Sequence, residues 1–175
     1  VLRGLIMIIL ALQIILSNFP MSMFVLSVML ALLSYKKFSS VFLNSLLFLC
    51  VGLGGAWGFV MHTFFSEITT KLIGWQQSPF EFEVALANLA LGLVGIIAVF
   101  ANNSFKSAVV IVTTVFLWGA ATGHIHQIIA AHNFNPGNAG TILWTDILIP
   151  LCLILALVVV SCKNRTEKGS YITNR

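Results

Sequence analysis

The sequence has few charged residues: 8% of its 175 residues are Asp, Glu, Lys or Arg, whereas 59% are hydrophobic. Soluble domains carry about 25% charged residues, so this chain cannot cover a soluble surface. Several apolar runs exceed ~18 residues, the length that a helix needs to cross a bilayer. The composition therefore predicts an all-α fold, a polytopic transmembrane helical bundle that forms a single domain over residues 1–175.

The sequence also lacks the features of several other protein classes. Its three cysteines, Cys50, Cys152 and Cys162, lie in or at the ends of apolar segments at unrelated spacings, which argues against a disulfide or a CxxC site. The net charge of +4 lies mostly in the tail and in short loops, and nothing forms a basic groove for nucleic acid. The N-terminal apolar run is not followed by a small-residue cleavage site and a soluble domain, so we expect no signal peptide.

Apolar runs along the sequence predict about five membrane spans. The beginning is ambiguous, because "LIMIILALQIIL" and "MSMFVLSVMLALL" are each too short to cross ~30 Å at ~1.5 Å per residue. Between them lies "SNFP", whose Pro20 is expected to kink or interrupt a helix. One kinked span over about 4–34 gives five crossings, which we prefer, and a hairpin of two short helices gives six. The four later spans cover about 42–65, 80–101, 107–131 and 142–162.

Basic residues are distributed unequally over the two sides of the predicted bundle. In the five-span arrangement, two basic residues, Arg3 and Lys71, lie on one side of the membrane, and the other seven lie on the opposite side. Loops rich in Lys and Arg remain cytoplasmic. We therefore predict a multi-pass protein of the cell (inner) membrane, with a short basic cytoplasmic tail at 163–175 and outward-facing loops at 66–79 and 132–141. The seven are Lys36, Lys37, Lys106, Lys163, Arg165, Lys168 and Arg175.

Four ionisable side chains lie inside four different predicted spans. His62, Glu83, His124 and Asp146 each fall roughly 5–10 Å below the outer boundary at ~1.5 Å per residue. Ionisable groups within spans are rare and usually face the bundle interior or a cavity. Two imidazoles and two carboxylates are suitable ligands for Zn²⁺, Fe²⁺ or Mn²⁺. The pattern predicts one outward-facing metal site, and a haem bound by the two histidines is a weaker alternative.

The two glutamates of "SPFEFE" receive different interpretations. Ser78 at the N-cap, Pro79 at the first helical position and Glu81 at the third match a capping box, in which Glu81 reaches back to the Ser78 amide. Glu83 lies beyond capping reach and about 200° around the helix from Glu81. The sequence therefore predicts that Ser78 and Glu81 form a structural cap and that Glu83 is the ligand.

Two amides are predicted to support the ligands. Asn88 lies on a stripe of small residues in the same span as Glu83, where it can hydrogen-bond to a neighbouring helix. Gln127 shares a helix face with His124 at the i, i+3 spacing. Asp146 can offer a second oxygen. Pro150, four residues later, lacks the amide that would bond the Asp146 carbonyl, so the main-chain oxygen of Asp146 is left free beside its carboxylate.

Three stretches carry a resemblance to a known family. "GWQQSPFEFEVALANLALG", "WGAATGHIHQ" and "NFNPGNAGTILWTDILIP" resemble small bacterial and archaeal integral membrane proteins catalogued as a domain of unknown function, DUF6790. The resemblance covers about residues 45–160. It implies a glutamine at the position of Glu81 in relatives, which agrees with the choice of Glu83 as the functional carboxylate. The family implies a fold and a site, and it brings no established activity.

The candidate residues leave several functions open. The first prediction is a metal-binding protein or membrane metalloenzyme. A small proton-coupled transporter is an alternative, in which Glu83, Asp146 and His124 exchange protons without a metal. Transport by so small a chain would require a homo-oligomer. A further alternative is an accessory or structural subunit of a larger membrane complex. In each case the lipid bilayer is the surrounding partner, and no nucleic acid is expected.

Overall fold

The computed structural model describes the backbone of residues 2–173 and the side chains in that range except those of residues 2, 3, 11, 14 and 167–173. Every regular element within these residues is a helix, which confirms the predicted all-α fold. In chain order the elements are α1 (Leu2–Ser17), α2 (Phe19–Leu33), a 3₁₀ turn (Tyr35–Lys37), α3 (Phe38–Ser45), a π-helical segment (Leu46–Leu53), α4 (Gly54–Phe64), α5 (Ser66–Ile73), α6 (Phe80–Phe100), α7 (Asn103–Ala131), α8 (Pro136–Ala139) and α9 (Thr141–Thr173).

Four helical stretches are long and apolar enough to cross a membrane, and a bent helix pair near the N-terminus makes up to five. This number confirms the prediction of about five spans. Six spans would require α1 and α2 to cross separately, but at 16 and 15 residues each falls short of the ~30 Å of a bilayer core. The four stretches are Tyr35–Phe64, Phe80–Phe100, Asn103–Ala131 and Pro136–Thr166.

The bend between α1 and α2 lies where the sequence predicts an interruption. The two helices are inclined at 99° around Asn18, and Pro20 occupies the first turn of α2. Proline is tolerated there because the first amides of a helix have no intrahelical partner, but its ring prevents α1 from continuing through this point. Thr141, at the start of α9, donates to the Asn18 side chain at 3.0 Å and so connects the bend to the bundle.

The four long stretches pack in a ring. The continuous rod formed by α3, the π-helical segment and α4 packs on α6, α6 on α7, α7 on α9, and α9 back on α3, while α2 packs against the rod and α9. The apolar core lies between them and has its fully buried centre at Leu46, Leu47 and Leu153. Burial of these side chains against one another fixes the rotation of each helix, and with it the direction of each polar side chain.

A close helix contact joins α4 to α6 through small residues. A Cβ built on Gly55 would lie 2.5 Å from the Asn88 carbonyl oxygen and 2.7 Å from the Gly92 amide nitrogen. Gly58 similarly faces the Asn88 side chain, whose Oδ1 would be 2.8 Å from an added Cβ. Small residues at such crossings let two backbones approach closely, as the sequence predicts for this stripe.

The two ends of the ring differ in charge. We call the end where α4 and α7 finish and α6 and α9 begin the acidic end, and the opposite end, where α3 and α7 begin, the basic end. The described acidic side chains all belong to the acidic end: Glu67, Glu81, Glu83 and Asp146. The basic end carries Lys36, Lys37, Lys106, Lys163 and Arg165.

Candidate functional site

Two connections pack together over the acidic end. We call them the cover: residues 66–79, which include α5, and residues 132–140, which include α8. The side-chain amide of Asn133 donates to the Ile73 carbonyl at 2.9 Å, which ties one connection to the other. The cover is therefore a single packed layer, and it lies directly above the ends of α7 and α9.

Asn138 is the central residue of the cover. It is fully buried, and its Oδ1 accepts hydrogen bonds from Trp75 Nε1 at 3.0 Å and from His124 Nδ1 at 2.9 Å. Its Nδ2 donates to the His124 carbonyl at 3.2 Å and to the Asn133 carbonyl at 2.9 Å. Both atoms of this amide are thus fully used, and one side chain joins both connections of the cover to α7.

These contacts determine the tautomer of His124. Because Asn138 Nδ2 faces two carbonyl oxygens, Asn138 Oδ1 is the atom that faces the imidazole, and His124 Nδ1 must carry a hydrogen to donate to it. Trp75 packs over the ring at a centroid distance of 5.3 Å. The proton on Nδ1 is therefore held in place, and Nε2 is the ring atom left to exchange a proton or bind a ligand.

His124 Nε2 faces Asp146, and the two side chains form a buried pair. Nε2 lies 3.7 Å from Asp146 Oδ2, and the side chains are only 6% and 12% exposed. Asp146 lies in the second turn of α9, and Pro150 follows four residues later, as the sequence predicts. Within the described part of the chain, His124 is the only basic side chain within 4 Å of this carboxylate. Among these residues, only a protonated His124 can therefore compensate the negative charge of Asp146.

A second pair joins α4 to α6. His62 Nδ1 lies 3.3 Å from Glu81 Oε1, and both side chains are mostly buried. The Glu81 half of the predicted capping box is not formed, because Glu81 reaches His62 and not the Ser78 amide; Ser78 Oγ does accept from the Phe80 amide, at 3.3 Å, at the start of α6. The imidazole on the facing helix gives the carboxylate a charge-assisted partner across the contact between α4 and α6.

The other three predicted polar residues lie away from both pairs. Glu83 is exposed on α6. The Asn88 side chain donates to the Val84 carbonyl at 2.9 Å and packs against Gly58, so it does not support Glu83 as predicted. Gln127 is partly buried one turn beyond His124 and lines a crevice at the edge of the cover.

The structure thus does not bring the four predicted metal ligands together. His124 and Asp146 form one pair, His62 pairs with Glu81, and Glu83 is outside both. Among the described residues, no three His, Cys, Asp or Glu side chains are grouped so that they could hold a metal ion. The two histidines also belong to different pairs. Whether a metal or a haem binds remains a prediction from the sequence.

One sequence family matches most of the chain. Residues 17–166 fit a family described as a family of unknown function, DUF6790. The chain belongs to this family. No curated protein and no solved structure gives a match. The part that matches DUF6790 begins at the end of α1 and contains the bend, all four long spans, the cover and both ionisable pairs.

Sequence reasoning missed two residues that organise the site. Trp75 and Asn138 both contact His124, and both lie in stretches on which the DUF6790 resemblance rests. Their residue types carried the available signal: an indole has one donor and an asparagine has both donors and acceptors, and such groups need partners when they are buried. Their partners, however, lie 63 and 14 residues apart in sequence, so only the fold reveals them.

Proposed function

We propose that this protein is a small membrane protein that moves protons, and that its buried His124–Asp146 pair binds and releases a proton at the acidic end. The observation that carries the proposal is the 3.7 Å approach of His124 Nε2 to Asp146 Oδ2 inside a candidate span. Ionisable groups at such depth are costly, and they recur in proton relays and along substrate pathways.

The geometry of the pair supports a proton as the bound species. Asn138 holds the hydrogen on His124 Nδ1, so a second proton can be gained or lost only between Nε2 and Asp146. With that proton present, the two side chains are either an ion pair or two neutral hydrogen-bonded groups. Without that proton, Asp146 is a buried carboxylate with no positive partner among the described residues. This state is energetically unfavourable, so it favours a movement of the two side chains.

A crevice provides access from the acidic end. It has a volume of about 490 Å³ and is lined by Gly74, Trp75, Gln76 and Gln127. Trp75 both lines the crevice and packs on the imidazole of His124, so its indole separates the crevice from the pair. Movement of Trp75 would open a route from the aqueous phase to the pair, which makes this residue the gate of the proposed pathway.

A polar group also lies deeper in the bundle. The Thr113 hydroxyl is buried and has no hydrogen-bond partner in the described part of the chain. Thr113 lies on the same buried face of α7 as His124, eleven residues away, which is ~16 Å along the helix. An unpaired hydroxyl inside a largely apolar core provides a site at which a passing water can bind.

Proton flux into proteoliposomes tests the function directly. With an internal pH-sensitive dye and an imposed pH gradient, we expect the wild type to acidify the lumen and both Asp146→Asn and His124→Gln to reduce the rate at least ~10-fold. His126→Gln is the matched control, since His126 is an exposed histidine on the same helix. It should leave the rate unchanged. Equal rates for all four proteins and for empty vesicles would overturn the proposal.

Two further measurements separate the alternatives. Trp75 fluorescence, taken as the difference between wild type and Trp75→Phe, should fall as the medium is acidified, because a protonated imidazole quenches a neighbouring indole. His124→Gln should abolish this change. The second measurement is a metal analysis and an absorption spectrum of the detergent-purified protein. A stoichiometric divalent ion that is lost in Asp146→Asn, or a haem absorption band, would show that the site binds that cofactor and not a proton.

A further inference from the structure

The connection between α4 and α6 contains an amphipathic helix that is not itself a span. This helix, α5 (Ser66–Ile73), is separated from the candidate span Tyr35–Phe64 by Phe65 alone. The Thr69 hydroxyl donates to the Met61 carbonyl at 3.2 Å, which holds α5 against the last turn of α4. Because α5 also packs on α8 of the cover, it lies across the end of the bundle, at the level where the span finishes.

The side of α5 that faces the protein is mostly polar. Ser66, Thr69 and Thr70 are buried or partly buried, and both threonine hydroxyls donate to main-chain carbonyls one turn earlier. Ile73 completes this side. A helix at the surface of a soluble protein has the opposite arrangement, with its apolar side inward and its polar side in water. The outward side of α5 is therefore the one that reports on its surroundings.

That outward side is divided into two edges. Ile68 and Leu72 are 59% and 41% exposed and lie about 40° apart around the helix, so they form one aliphatic edge. Glu67 and Lys71 are also exposed, and each lies about 100° around the helix from the aliphatic residue that follows it. At the i, i+4 spacing these two charges attract each other. The second edge is therefore charged.

The aliphatic edge of α5 continues the apolar surface of the span. Phe64, the last residue of the span, is 69% exposed, and Phe65 is 47% exposed. Phe65 lies three residues before Ile68, a spacing that places both on one side of a helical turn. Large exposed apolar side chains therefore run without a break from the end of the span to Leu72. The outer surface of a span contacts lipid, and this edge extends that surface at the same level.

We propose that α5 lies in the plane of the membrane interface at the acidic end, with Ile68 and Leu72 among the lipid chains and Glu67 in the aqueous phase. The partner is thus the surface of a phospholipid leaflet. Helices with an apolar and a charged edge lie in this plane, ~5–10 Å into the boundary between headgroups and acyl chains. Lys71 can extend its ammonium group to the phosphates, because its long side chain reaches out of apolar surroundings. The proposal depends neither on the His124–Asp146 pair nor on the direction of insertion.

This contact with lipid would hold one connection of the cover in place. A Cβ added to Gly137 would lie 2.8 Å from the Leu72 carbonyl oxygen, so α8 packs directly on the main chain of α5. The Asn133 amide donates to the neighbouring Ile73 carbonyl at 2.9 Å. A cover that lifts away from the bundle must therefore either separate from α5 or withdraw the aliphatic edge from the lipid.

Site-specific photocrosslinking in lipid nanodiscs tests the proposal. Benzoylphenylalanine replaces Ile68, Leu72 or Glu67, one at a time, in the otherwise unchanged chain, and the nanodiscs contain phosphatidylcholine. After irradiation, adducts are quantified by mass spectrometry. We expect at least ~5-fold more lipid adduct from positions 68 and 72 than from position 67, because only the aliphatic edge reaches the acyl chains. Glu67 is the matched control, since it is an exposed residue of the same helix.

Folding and the identity of the partner are checked with the same labels. All three positions are exposed, and circular dichroism verifies the helix content of each labelled protein before irradiation. Because Ile68 and Leu72 are labelled separately, a folding defect at one position leaves the other as the test. Irradiation is then repeated in cell membranes. Equal lipid adduct from all three positions would overturn the proposal, and so would adducts of positions 68 and 72 with a second protein chain in place of lipid.

Discussion

At the scale of single residues, the two glutamates of α6 occupy different environments although they are two positions apart. Glu81 faces α4 and contacts His62, whereas Glu83 is exposed near the start of the helix. A carboxylate in the first turn of a helix is stabilised by the helix dipole, and near the boundary it can remain hydrated. Among the described side chains, Glu83 therefore has a favourable position without a partner, whereas Glu81 has one in His62.

This difference gives a prediction for stability. Glu81→Ala should lower the free energy of unfolding by about 1–2 kcal/mol, because it removes a charge-assisted hydrogen bond and leaves the His62 ring unpaired. Glu83→Ala should stay within ~0.5 kcal/mol of the wild type. Denaturant unfolding in detergent micelles measures both. Equal losses from the two substitutions would show that the pair contributes nothing.

The sequence contained a signal for Glu81 that the capping interpretation obscured. The small-residue stripe of α6 runs through Ala85, Asn88, Gly92 and Gly95, and extending it one turn backwards reaches Glu81, not Glu83. Depth in the membrane is readable from a hydrophobic run, and helix rotation is readable from such a stripe. The pairing of interior-facing groups depends on how neighbouring helices pack. It can be read neither from a hydrophobic run nor from a small-residue stripe.

At the scale of helices, the contact between α4 and α6 is set by backbone approach. The positions of Gly55 and Gly92 leave no room for a methyl group, since an added Cβ at Gly55 would meet main-chain atoms that cannot rotate away. This contact holds His62 opposite Glu81, because both lie on the helices that it joins. Helix existence and small-residue packing were predictable here from spacing alone.

Substitution at this contact should therefore be costly. We expect Gly55→Ala to lower the free energy of unfolding by about 1–3 kcal/mol, because the helices must separate to accommodate the methyl group. Gly119→Ala is the matched control, since a Cβ there would meet nothing within 4 Å and alanine favours the helix. Thermal unfolding of both variants in the same detergent provides the comparison. A Gly55→Ala variant as stable as the control would contradict the close approach.

One helical feature was not predictable from periodicity. The eight residues of Leu46–Leu53 form a π-helix in the middle of a span, and "LLFLCVGL" is too uniformly apolar to show a change from 3.6 residues per turn. The segment shifts the rotation of α4 relative to α3. The directions of Asn44 and His62, which lie on either side of this segment, could thus not be related to each other from sequence spacing.

At the scale of the whole molecule, the ring separates its charges by end. Four acidic side chains and the cover lie at one end, and five described basic side chains lie at the other. The number of spans and this polarity follow from hydropathy and charge counting, so both were predictable. The 99° angle between α1 and α2 was not, because a proline shows where a helix stops but not the direction in which the chain continues.

The charge separation predicts the orientation in the membrane. The basic end and the tail after Val160 should face the cytoplasm, and the cover should face outward, because positively charged loops are retained on the inner side. Fusion of a reporter that is active only outside the cytoplasm tests this: it should be silent at the C-terminus and active when inserted between Gln76 and Gln77. The reverse pattern would place the His124–Asp146 pair on the cytoplasmic side.

The four hydrogen bonds of Asn138 have a consequence for how the acidic end can move. This one amide holds the indole of Trp75, the Asn133 carbonyl and the Nδ1 hydrogen of His124. Displacing the indole therefore weakens the restraint on the ring, and a ring that turns away weakens the hold on the indole. Because coupling between two such equilibria is reciprocal, whatever displaces the indole also favours a turned imidazole, and a turned imidazole favours displacement of the indole by the same free energy.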